Sequence, residues 1–164
     1  MNAYVDFADG LNRQIARFVK WLAIAMLLVQ FGVVLGRYVF GVNSIAVQEF
    51  ILYMHATLFM LGAAYTLQVD KHVRVDIFYA SMSPERQRLV DILGHIVFLI
   101  PSMLALIYWS WPSVANSWAI LEGPISVGGI KAVFLLKSLI PLFAATLILQ
   151  SLAQLVKLVS GKAA

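Results

Sequence analysis

Four apolar runs, each long enough to cross a bilayer and separated by short polar stretches, constrain this chain more than any motif within it. They occupy roughly residues 18–38, 45–67, 89–111 and 130–156, and each exceeds the about 20 residues that a hydrocarbon core about 30 Å thick requires. With 62% hydrophobic residues, 12% charged residues and a mean hydropathy of +0.87, water is not the main solvent of this polypeptide. No run shows the small-residue cleavage pattern of a signal peptide, and the first is too long for such a peptide's apolar core, so a permanent helix is expected there. The expected fold is an all-α membrane protein in which four transmembrane helices follow an N-terminal amphipathic helix, one membrane domain over residues 1–164.

The lead-in, residues 3–20, carries Phe7, Leu11, Ile15, Phe18 and Leu22 at steps of three and four. Asp6, Asp9, Arg13, Arg17 and Lys20 fall on the other side. Such a helix lies along the inner leaflet or extends the first span as a stalk; the alternative is a solvated lead-in whose cations only set topology. If the N-terminus is cytoplasmic, the inner regions hold Arg13, Arg17, Lys20, Lys71, Arg74, Arg86, Arg88, Lys157 and Lys162, and the outer regions only Arg37, Lys131 and Lys137. This bias predicts that both termini lie inside. Trp21 marks the inner boundary, and Trp109, Trp111 and Trp118 gather at the outer end of the third span.

Basic residues clustered at segment ends suit membrane lipids with anionic headgroups, and no basic stripe with interleaved aromatics points to nucleic acid. The absence of cysteine excludes disulfides, thiolate nucleophiles and Cys-ligated clusters, and no cofactor is expected. Ser83 and Pro84 read as the N-cap and first position of a helix, with Glu85, Arg88 and Asp91 forming a short ion-paired turn behind them. Asn116, Glu122, Gly123, Pro124, Gly128 and Gly129 mark an exposed outer connection.

Ionisable groups inside the apolar runs are costly in hydrocarbon, so Glu49 and Lys137 are expected to face protein. Glu49 lies about 6 Å and Lys137 about 10 Å inside the outer ends of their spans, close enough in depth to pair. Arg37 competes for the same carboxylate, a partner subunit is a third possibility, snorkelling to the headgroups a fourth and a coupling role a fifth. His55 and His95 are the histidines within spans. About 18 Å separates His55 from the inner end of its helix and less than about 10 Å separates His95 from its own, a mismatch in depth that disfavours shared haem ligation. His95 follows Asp91 by four residues, a spacing that suits a hydrogen bond on one face, and His55 could hydrogen-bond across a helix interface. No nucleophile motif, Walker loop or pair of interrupted helices appears, so an enzyme is not expected. A haem-binding anchor of an electron-transfer complex and a small independent channel are the alternative functions.

Several pieces resemble a known family in the same order: Arg37, Tyr38, Val39 and Phe40; Gln48 and Glu49; Leu61, Gly62, Ala63 and Ala64; and His72, Val73, Arg74, Val75 and Asp76. They look like the small membrane subunit, DctQ-like, of tripartite ATP-independent periplasmic (TRAP) transporters. Resemblance is strongest over residues 37–76. At the head of the second span, where the family commonly has a tryptophan and paired acids, this chain has Ala46, Val47, Gln48 and Glu49, so no role needing two carboxylates carries over. The resemblance implies a small permease subunit of a sodium-coupled transporter for organic anions in the bacterial inner membrane. Such a subunit braces the scaffold of a large polytopic membrane subunit and helps dock a periplasmic solute-binding protein. It also implies structural or interface roles for Arg37, Tyr38, Phe40, Glu49, Gly62, His72, Arg74, Asp76 and Lys137, with no substrate site in this chain.

Overall fold

Hydrocarbon offers no hydrogen bonds, so a segment that crosses it must satisfy its own backbone, and an uninterrupted apolar run therefore winds into a helix. The computed structural model describes residues 3–71, 79–124 and 126–160. It contains α1 (Ala3–Phe40), α2 (Ile45–Gln68), α3 (Pro84–Ala119) and α4 (Val133–Val159), each long and apolar enough to cross a membrane. The two connections 41–44 and 120–132 share one end of the molecule, here the loop end; the start of α1 and the end of α4 share the other, the terminal end.

The lead-in and first span form one unbroken helix, about 57 Å long at 1.5 Å per residue, so the amphipathic segment is a stalk on the span. Its packing face is Val5, Ala8, Asn12 and Val19, spaced three, four and seven apart. That stripe lies between the charged face and the bulkier apolar one: Phe7, Phe18 and Trp21 are exposed. The expected apolar stripe is thus only partly the one used, because small residues let α4 approach where phenylalanines would hold it off.

α4 is the central helix. It packs against α1, α2 and α3 and holds more of the buried residues than any other helix described, among them Ala144, Leu147, Gln150, Ser151 and Ala153. α1 and α2 pack on each other, whereas α3 packs mainly along α4. At the loop end, Gly41 takes φ +65° and the Val42 amide returns to the Gly36 carbonyl at 2.9 Å, closing α1. A side chain there would oppose the left-handed backbone.

Ser83 and Pro84 begin α3 as expected, with the Gln87 amide donating to the Ser83 carbonyl at 3.0 Å. The expected ion-paired turn does not form around Arg88, whose guanidinium reaches the Val159 carbonyl at 2.9 Å, while Asp91 accepts from the Tyr79 hydroxyl at 2.7 Å. α3 widens into a π-helical stretch over Gly94–Leu99, where the Ile100 amide bonds the His95 carbonyl. Pro101 follows after one residue. Its missing N–H and its ring conflict with the carbonyl four residues back, and the wider winding relieves that conflict without breaking the helix.

Candidate functional site: a pinned loop end and a polar clamp

At the loop end, main-chain groups of the 120–132 connection lack helical partners and must find others. The chain turns at Leu121, φ +46°, and the Glu122 amide donates to the Ser117 carbonyl at 3.0 Å. This return brings the Glu122 carboxylate 2.5 Å from the Lys137 ammonium. Lys137 therefore pairs with Glu122, not with Glu49. Both side chains keep about a third of their surface accessible, 31% and 30%, so the pair serves geometry more than stability. The Lys137 ammonium holds the Glu122 carboxyl below the ordinary carboxylate range.

Glu49 takes a different partner. Its Oε2 accepts the Ile130 amide at 2.6 Å, stitching α2 to the connection ahead of α4. Gly129 lies against this carboxylate so closely that a Cβ there would overlap it. Trp118 completes the seam, donating its indole N–H to the Ser138 hydroxyl at 2.7 Å and packing edge-on against Phe134 at 4.7 Å. Arg37 likewise does not pair with Glu49. It donates to Asn43 Oδ1 at 3.2 Å, an oxygen that also accepts from Gln48 Nε2 at 2.6 Å. Arg37, Tyr38 and Gln48 line a depression of about 360 Å³ at this end, and Tyr38 and Phe40 are 81% and 74% exposed.

The terminal half holds a cluster that hydropathy did not reveal. Asn12 and Gln150 are 1% and 0% exposed, and Asn12 Nδ2 donates to Gln150 Oε1 at 2.6 Å. Gln150 Nε2 donates to Asp9 Oδ1 at 3.0 Å, and Lys157 donates to Asp9 Oδ2 at 2.7 Å. One turn beyond Gln150, Gln154 Nε2 reaches the Leu67 and Gln68 carbonyls, both at 3.1 Å, and so caps the last turn of α2. Buried Ser151 meets His95 Nδ1 at 2.8 Å across the α3–α4 contact. The available sequence signal was the run of amides and hydroxyls Gln150, Ser151 and Gln154 inside an apolar segment.

His55 is exposed and stacks on Phe59 with ring centroids 6.4 Å apart, away from the interior interface expected for it. Gly62 does not mediate a tight helix contact within the chain: a Cβ there would meet open space in a cleft between α1 and α2. His72, Arg74 and Asp76 lie outside the described residues.

The fold and its polar anchors define a polytopic α-helical membrane component whose embedded polar groups tie its own helices and connections together. Residues 10–161 match the family described as tripartite ATP-independent periplasmic transporters, DctQ component. The chain belongs to that family and is the small permease component of such a transporter, a system that also contains a large membrane subunit and a solute-binding protein. A search of curated proteins finds no match.

Proposed function

We propose that this subunit braces the scaffold of the large membrane subunit and helps dock the periplasmic solute-binding protein during sodium-coupled uptake of an organic anion, and is not itself an enzyme. The observation that carries this reading is the use of charge at the loop end. Glu49, Glu122 and Lys137 are occupied in holding the 120–132 connection against α2 and α4, which suits a fixed platform. The exposed Tyr38 and Phe40, beside Arg37, offer an aromatic surface to a neighbouring subunit. In this reading the loop end is periplasmic and both termini are cytoplasmic, supported by nine cations against three in the respective regions. The membrane is the bacterial inner membrane. His72, Arg74 and Asp76 supply an inner contact with the large subunit.

Tagged purification in mild detergent tests the proposal. A much larger polytopic chain is expected in one-to-one amount, and Tyr38→Ala with Phe40→Ala should lower its recovery. A solitary protein that transports solute in reconstituted vesicles would refute the bracing role and favour a channel.

A further inference from the structure

Between α1 and α2, toward the terminal end, lies an open-sided cleft of about 880 Å³. Arg13, Arg17 and Lys20 descend one face of α1 at steps of four and three, and Lys71 closes the opposite rim just beyond α2. Among the described residues, no acidic residue lines the cleft and none of these four cations is in an ion pair. The acid of the neighbouring turn, Asp9, is already held by Lys157 and Gln150.

Below the cations the walls become apolar. Leu58 and Phe59 lie on α2 about 14 Å from its end at Gln68, and Gly62 between them and the rim leaves the floor unfilled. Trp21, exposed and with the Lys20 ammonium 5.6 Å from its ring centre, places this level at a membrane–water boundary. Four cations that no described acid pairs, above an apolar trough, match a molecule that is anionic at its head and hydrocarbon below.

We infer that the α1–α2 cleft is a binding site for one anionic phospholipid, its phosphate among Arg13, Arg17, Lys20 and Lys71 and an acyl chain along Leu58 and Phe59 over Gly62. The site binds whichever leaflet it faces, since it reads headgroup charge and chain together. A bound lipid would neutralise these cations and fix the stalk's angle to α2, filling a gap that the described side chains leave open.

Native mass spectrometry of the full chain, in whatever assembly it is extracted, tests this with dioleoyl phosphatidylglycerol against phosphatidylcholine of identical chains. Phosphatidylglycerol adducts should survive activation that strips phosphatidylcholine. Arg13→Gln/Arg17→Gln/Lys20→Gln should weaken that retention at least about tenfold. Gly62→Leu, which alters no charge and favours the helix, should reduce retention of both lipids by occupying the trough. Equal retention of the two lipids, or a phosphatidylglycerol preference unchanged by the triple substitution, overturns the inference. So does crosslinking of the cleft to an acidic segment of a co-purified subunit with no lipid retained.

Discussion

Replacing Gln150 by Met should undock the stalk from α4, and replacing Asn12 by Leu in the same chain should largely restore it. Gln150 is wholly buried and joins one donor to one acceptor: it accepts from Asn12 at 2.6 Å and donates to Asp9 at 3.0 Å. Methionine preserves length but leaves the buried Asn12 amide without its acceptor, a loss of about 1–3 kcal/mol. The bond to Asp9 adds about 0.5–1 kcal/mol, at the low end of the usual range because Asp9 keeps Lys157 and 22% of its side-chain surface accessible. The single substitution should therefore cost about 1.5–4 kcal/mol. In the double variant the orphaned amide is gone, so about 1–2 kcal/mol should return as coupling energy. Trypsin cleavage at Arg13 and Arg17, which the docked helix resists, reads this local opening in the detergent-solubilised chain. Effects of Asn12→Leu and Gln150→Met that add to within about 0.5 kcal/mol would refute the clamp.

The loop end yields two further expectations. Gly129→Ala should push the Glu49 carboxylate off the Ile130 amide, forfeiting a charge-assisted bond of about 1.5–3 kcal/mol, whereas Glu49→Gln retains an acceptor and should cost less. Hydrogen exchange at the Ile130 amide distinguishes them, and equal protection in both variants would contradict the ordering. Lys137 holds the Glu122 carboxyl below its ordinary 4.5, so this contact's contribution is present above that value and is lost as pH falls through the lowered one. Protection of the Val133 amide, which donates to the Glu122 carbonyl, should accordingly decline only below about pH 4.5 in the native protein and start from a lower plateau in Lys137→Met. A profile identical in the two proteins would remove the role assigned to this pair.

Membrane residence, the helical class, the start of α3 at Ser83 and Pro84 and the family were all legible in the residue order, because each rests on local properties. Length of apolar run, proline at a first turn and a recurring string of residues need no knowledge of neighbours. The partners of the embedded charges were not legible. Glu49 and Lys137 have compatible depths, yet Leu121 turns Glu122 onto Lys137, and Glu49 meets a main-chain N–H that every non-proline residue possesses and no sequence pattern marks. The stalk shows the same division: periodicity announced an amphipathic helix, but the neighbouring α4 selected Val5, Ala8 and Asn12 over the exposed phenylalanines.

Amino-acid order thus suffices to commit this polypeptide to four membrane-length helices, since transfer from water to hydrocarbon is a property of each segment alone. Which helix stands at the centre, which amides are buried together and which carboxylate meets which cation emerge only once the helices pack. Those outcomes depend on close approach and hydrogen-bond direction between residues more than a hundred positions apart, such as Asn12 and Gln150.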